Sequence, residues 1–294
     1  MSNVATIMWL TFHEARRRKM VLAALVLGLL FIVLYVVGFL FIVYEAKLIV
    51  TGVTEENGVL SQNAELLQRG QDLGLNFLTM AGLYVVHFLT IMLAIFASVD
   101  TVAGEISSHT IQAIATTPVR RWEIIIGKWL GQTAMIVPYL VLLSVGITGS
   151  IYLITGYWPG NVVEVVGLIV LQAMVLLSLS LLGGTRLSTL TNGVGLFMLY
   201  GLAFIGSWIE QIGYVLGSKA AVNIGIATSL VMPVEALWRL AANLLSPSLF
   251  SLDKRLSMLF GAASVPNSAM VLYAIAYAAV VLGLAVRAFS RRDL

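Results

Sequence analysis

Few side chains in this 294-residue chain could do chemistry, and their spacing limits what that chemistry would be. His87, Glu164 and Glu210 fall within or at the ends of long apolar runs. An ionisable group inside a membrane is by default a substrate, ion or proton site, although a neutral histidine also serves as a hydrogen-bond partner between helices. Glu164 and Glu210 could pair, hold a cation or reach the membrane interface, and their positions near span ends favour the interface. His13 and His109 lie outside the apolar runs and cannot join His87 in one transmembrane metal site. The 11 methionines offer soft thioether ligands for copper, but they are scattered along the chain as packing material is. Cysteine is absent, so thiolate metal sites and disulfides do not arise. Ser144, Ser178 and Ser180 have no histidine in a protease arrangement. No catalytic residue and no metal site is assigned.

The second group of polar residues is different in kind. Ser98–Gly131 is the one structured-looking polar interruption between two apolar runs, and it contains, in order, Gly104-Glu105, Thr110, Thr116-Thr117-Pro118, Arg120-Arg121 and Gly127-Lys128. It holds no nucleophile–base pair and no ligand set. Gly127-Lys128 is followed by Trp129 and lacks the first glycine of G-x-x-x-x-G-K-[ST], and nothing else in the chain could cradle a phosphate. Transport driven by ATP would therefore need ATP and Mg bound by a partner chain, with no cofactor in this one. Locally, residues 104–115 suit a short helix with Glu105 near its positive end and Ile106, Thr110, Ala113 and Ile114 on one face. Pro118 ends that helix, and Thr117-Pro118 can cap and start the next. Arg120, Arg121 and Lys128 then sit at the headgroups as Trp129 enters the membrane. The expected product is a short transverse helix tied to two spans, a lever rather than a reaction site.

The elements that would carry these residues are set by composition. Apolar residues make up 60% of the chain and charged residues 11%, with a mean hydropathy of +0.97. A soluble domain is nearer one half apolar and one quarter charged, so the chain reads as an all-α polytopic membrane protein. Six spans are expected: Met20–Tyr44, Leu75–Val99, Trp129–Ile154, Val162–Leu182, Gly193–Leu216 and Ala269–Val286. Val4, Ile7, Met8, Thr11 and Phe12 share one helical face, which predicts an interfacial helix within residues 1–19. The run Met20–Tyr44 is too long for a cleaved signal and has no small-residue cleavage site. Residues 45–73 and 219–264 form external segments, the first a helical hairpin or loop. Within the second, Ala220–Leu245 is apolar but interrupted by Asn223, Pro233 and Glu235, and reads as re-entrant or interfacial helices.

Charge fixes the orientation. With six spans, 11 of the 17 lysines and arginines lie on the side of residues 98–131, Arg186 and both termini, and six lie on the other side. The positive-inside tendency places the richer side in the cytoplasm. A seventh span would export the basic C-terminus. The net charge of +3 gathers beside apolar runs, where topology control and lipid phosphates account for it, and not nucleic acid. Residues 1–294 read as one transmembrane domain with no room for a soluble one. Glycines at 183, 184, 193, 195 and 201 would let helices approach closely or flex.

The order Gly104-Glu105, Thr110, Pro118, Arg121, Gly127-Lys128 resembles the cytoplasmic coupling segment of ABC-2 type transporter permeases, in the branch associated with multicopper-enzyme maturation. Pro233-Val234-Glu235-Ala236 resembles a motif that members of that branch carry before the last span. The resemblance implies a permease paired with an identical or homologous copy in the cell (plasma or inner) membrane and docked on two separate ATPase subunits. Glu105 and its neighbours would contact the ATPase groove, and Arg121 and Lys128 would hold the segment at the membrane face. The implied activity is ATP-driven transport, in the direction of export. Two other readings stay open: an ion-coupled secondary transporter or channel using His87, Glu164 and Glu210, and a mechanical or scaffold subunit linking an ATPase to an external protein.

Overall fold

A computed structural model describes residues 3–57, 64–107, 119–245 and 264–291. Among these residues the secondary structure is helical throughout, without strands. The helices are α1 (Asn3–Arg17), α2 (Lys19–Asn57), α3 (Ala64–Ser107), α4 (Arg121–Thr155), α5 (Val162–Gly184), α6 (Thr189–Leu216), α7 (Lys219–Val231), α8 (Val234–Leu245) and α9 (Ala269–Ser290). Six of them, α2 to α6 and α9, are long and apolar enough to cross a membrane. In lipid every backbone polar group must find its partner within the protein, and a helix does this alone. The expected all-α polytopic architecture is thus present, and the protein is a multi-pass membrane protein.

Helix and membrane-buried stretch are not the same length. The helix α2 runs on to Asn57, well past the apolar run that ends at Tyr44, and α3 extends beyond Leu75–Val99 at both ends. The described parts of residues 45–73 are therefore continuations of two spans. The same effect corrects the expectation for Gly104-Glu105. These residues form the last turns of α3 and not the start of a transverse helix. A lone glycine costs a helix only about 1 kcal/mol, and no proline interrupts the chain between Ser98 and Ser107. Glu105 therefore does not occupy the positive end of a helix dipole. Thr110, Ala113, Ile114, Thr117 and Pro118 lie outside the described residues. The following helix starts at Arg121, with an extended Arg120 (φ −73°, ψ 138°) as its cap, and the Glu123 carboxylate accepts the Arg120 N–H at 2.8 Å.

The centre of the bundle is α5, which packs against α3, α4, α6, α8 and α9. In the most apolar stretches of α3 and α5, 61% of residues are buried inside the protein, against 11% in α2, most of whose surface the rest of the chain leaves uncovered. By alternation of the six spans, α1, the end of α3, the start of α4, the α5–α6 turn and the end of α9 share one face, here the terminal face.

The predicted N-terminal helix is α1, and the side of it carrying Ile7, Met8 and Thr11 docks on α4. A Cβ at Gly127 would fall 2.7 Å from Ile7 Cβ, and one at Gly131 would fall 2.7 Å from Thr11 Cβ and 2.8 Å from the Met8 carbonyl oxygen. Two glycines one turn apart thus form the seat of α1, the small-xxx-small device of membrane helix packing. Gly131→Val is expected to cost about 1–3 kcal/mol by overpacking and to lift α1. Hydrogen exchange of the α1 amides would accelerate, whereas Gly149→Ala, which points into open space, would leave it unchanged.

On the opposite face, α7 turns back along α6 and the chain bends by 108° into α8. Pro233 lies at the bend. The two ends of this hairpin lie on one face. One follows the Gly217 turn (φ 71°) at the end of α6, and the other meets the start of α5, where Asn161 Nδ2 donates to the Leu244 carbonyl at 2.9 Å. The α7–α8 pair is therefore a re-entrant hairpin and not a seventh span. From α9, the hydroxyls of Tyr273 and Tyr277 donate to the Leu230 and Val231 carbonyls near the bend. Those carbonyls end α7 and would otherwise face apolar surroundings without partners.

Candidate functional site

Two polar constellations stand out, one at the terminal face and one inside the bundle. At the terminal face Lys128 leaves α4 beside the glycine seat of α1 and is buried against α3. Its ammonium donates to the Thr101 carbonyl at 3.1 Å and forms an ion pair with Glu105 Oε1. One turn further into the membrane, Gln132 Nε2 donates to Thr101 Oγ1 at 2.8 Å, and Thr101 Oγ1 donates to the Ala97 carbonyl. The Glu105 side chain is 14% exposed and the Lys128 side chain 3%, so the pair sits at the edge of the bundle with its cation on the inner side. An ammonium held there without a carboxylate would carry most of its desolvation cost uncompensated.

Around this pair the same face is cross-tied. Arg18, at the α1–α2 joint, bonds Glu14 at 2.7 Å and Asp100 on α3 at 3.3 Å. Asp100 also accepts from Thr189 Oγ1 at the start of α6. Asn3 Nδ2 donates to Glu123 at 3.2 Å, and Arg121 Nη1 donates to the Ser290 carbonyl at the end of α9. Of the residues predicted for the coupling segment, the structure thus brings Glu105 and Lys128 into contact, sets Gly104 one residue before Glu105, and turns Arg121 toward α9. Thr110 and Pro118 lie outside the described residues.

The second constellation is built on α8. Glu235, Trp238 and Arg239 are all buried, and so are His87 on α3 and Glu210 on α6. The His87 ring stacks on Trp238 with centroids 4.6 Å apart, and its Nε2 lies 3.9 Å from Glu235 Oε1. Tyr200 hydrogen-bonds Glu235 from α6. One turn along α8, Arg239 forms an ion pair with Glu210 and donates to Ser229 Oγ at 3.0 Å and to the Ser264 carbonyl at 3.3 Å. Ser264 closes the ring by donating its hydroxyl to Glu210 at 2.8 Å and its N–H to Gln211 at 3.1 Å. The seam that holds Glu210 is narrow: a Cβ at Gly225 would fall 2.2 Å from Glu210 Cβ.

These contacts correct the reading of Glu210, which does not reach the interface. The hairpin folds back along α6, covers the carboxylate and supplies a cation to it. Glu164 is exposed in the first turn of α5 and makes no ion pair or hydrogen bond with another described residue. His87, Glu164 and Glu210 therefore do not form one site. His87 belongs with Glu235, Glu210 belongs with Arg239, and Glu164 stands apart. Arg239, Trp238 and Tyr200 were not anticipated. Their signal was the pair Glu235 and Arg239, two charges one turn apart in a 12-residue helix that is apolar but for Asn243. Among the described residues no three histidine or acidic side chains converge as a metal site.

The glycines divide as well. Gly184 and Gly193 meet α3 residues, while Gly195 and Gly201 have open space around them. Ser178 accepts from Trp129 Nε1 at 3.1 Å and donates to the Met174 carbonyl, so it joins α4 to α5.

Two buried ion pairs, Glu105–Lys128 and Glu210–Arg239, and a polar, cross-tied terminal face thus tie the helices of an apolar bundle to one another. No curated protein matches the sequence at a significant level. The family model described as ABC-2 family transporter protein matches residues 5–294. The chain belongs to that family and is a membrane-spanning permease component of an ABC transporter.

Proposed function

We propose that the protein is the permease of an ATP-driven exporter, with its terminal face in the cytoplasm of a cell whose plasma or inner membrane it spans. It works with a second permease, identical or homologous, and with two ATPase subunits that bind ATP and Mg. Residues 1–294 act as one transmembrane domain. Gly104, Glu105, Thr110, Pro118, Arg121 and Lys128 belong to the segment on which the ATPases act. The observation that carries this reading is the buried Glu105–Lys128 pair: it binds the two helices that flank residues 108–118, so a push on that segment moves α3 and α4 together. The cross-ties from Arg18, Asp100 and Arg121 extend the same motion to α1, α6 and α9. Glu105 faces inward to Lys128, so its part is to transmit force, and contact with the ATPase falls to the neighbouring residues of the segment.

Purification of the full chain from its native membrane tests the proposal. An ATPase subunit should copurify, and Glu105→Lys, which sets two ammonium groups against each other, should abolish stimulation of its ATPase activity by the permease. Absence of any ATPase partner, or unchanged stimulation in that variant, would overturn the reading. The buried His87–Glu235 pair favours one alternative, ion-coupled transport without ATP. Flux driven by an ion gradient through the purified chain alone in vesicles, lost in Glu235→Gln, would decide for it.

A further inference from the structure

Three arginines that the sequence scatters over more than 100 positions meet at the terminal face. Arg186 follows α5, and Arg287 and Arg291 close α9. They border a cavity of about 610 Å³ between the two helix ends, with Leu182, Leu284 and Thr185 among its walls. All three arginines are exposed, and none forms an ion pair or side-chain hydrogen bond with another described residue. Arg18, Arg239 and Lys128, in contrast, each have a carboxylate partner.

Like charges gathered at one cavity repel, and an anion among them relieves that repulsion. The helix ends supply only part of it, about half a negative charge each, so two of them offset roughly one of three positive charges. The cavity walls set what an anion there would carry. Leu182 and Leu284 lie toward the membrane interior from the arginines, and Leu284 is itself half exposed on the outer surface of α9. The cavity is thus cationic at its polar end and apolar at its lipid end. Guanidinium forks match phosphate oxygens in pairs, and basic pockets between spans at the cytoplasmic side suit anionic headgroups.

We infer that the cavity between α5 and α9 binds an anionic phospholipid, its phosphate held by Arg186, Arg287 and Arg291 and its acyl chains lying on Leu182 and Leu284. The site stands apart from the Glu105–Lys128 pair and does not depend on ATP-driven transport.

The test is native mass spectrometry of the full chain, titrated with phosphatidylglycerol and with phosphatidylcholine. Wild type should retain phosphatidylglycerol in preference. Arg186→Gln/Arg287→Gln/Arg291→Gln should weaken that retention by about 100-fold, roughly fivefold for each guanidinium removed, and Arg291→Gln alone by about fivefold. Arg16→Gln/Lys19→Gln, at exposed basic positions elsewhere on the same face, should leave it unchanged. Equal weakening in that control would mean diffuse surface charge and overturn the site. So would displacement of the lipid by millimolar inorganic phosphate, which would mark a pocket for soluble anions. Unaltered lipid retention in the triple variant with loss of ATPase copurification would reassign the arginines to protein docking. The single variant keeps the result decisive should the triple variant fail to fold.

Discussion

Arg239→Met should lower the stability of the folded protein by about 3–5 kcal/mol, the range for removing one member of a buried ion pair, as read by thermal or denaturant unfolding in detergent. The cost comes from what is left behind. Glu210 lies in the α6–α7 seam, closed on one side by Gly225 and on the other by α8, and it cannot swing out to water. With Arg239 gone, its carboxylate keeps only the Ser264 hydroxyl. Ser229 and the Ser264 carbonyl lose a donor at the same time. Arg239→Met/Glu210→Leu should recover most of the loss, because a buried pair replaced by apolar groups of similar volume is often neutral or better. The recovery stays incomplete by about 1 kcal/mol for a buried polar group deprived of its partner. A double variant as unstable as Arg239→Met would show that the hairpin is held by contacts other than charge.

The same cluster shows what the sequence could and could not convey. All six spans were legible, because about 20 apolar residues in a row have few other uses. The N-terminal helix was legible from the period of Val4, Ile7, Met8 and Thr11, and Pro233 announced the break in the hairpin. Helix ends were less clear. Hydropathy reports which part of a helix meets lipid, and α2 and α3 continue beyond it. Least accessible were the partners. Glu105 and Lys128 were both singled out, but their 23-residue separation says nothing about contact unless the direction of α3 past Val99 is known. Glu210 was placed by counting from the end of its span, which assumes that the next segment leaves the membrane. It does not: α7 returns along α6, so a position near a span end becomes an interior one. His87 was recognised as an intramembrane ionisable group, and its partner Glu235 lies 148 positions away on a helix that enters from the other end of the bundle. Side-chain pairs of this kind depend on tertiary packing alone, and local pattern carries no trace of them.

The second large effect concerns the Glu105–Lys128 pair, where the two partners should not be equivalent. Glu105→Ala leaves an ammonium that is 3% exposed with the Thr101 carbonyl as its hydrogen-bond acceptor, and should cost about 3 kcal/mol or more. Lys128→Met leaves a carboxylate that is already 14% exposed and can turn outward to water, while the methionine fills the space of the lysine stem; about 1 kcal/mol is expected. The swap Glu105→Lys/Lys128→Glu restores opposite charges but should not restore stability, because a carboxylate at position 128 would face the Thr101 carbonyl with no proton to donate. Unfolding midpoints of the three variants test this order directly. Equal losses for the two single variants would mean that Lys128 reaches water in the folded protein and that the pair is a surface bridge worth about 1 kcal/mol at most. If the order holds, α3 and α4 are joined through Glu105 and Lys128, on the two helices that flank residues 108–118. The weaker variant Lys128→Met then separates the two roles of the pair. It should leave a folded permease in which force on that segment is no longer shared between the two helices, with ATPase stimulation reduced although stability is nearly kept.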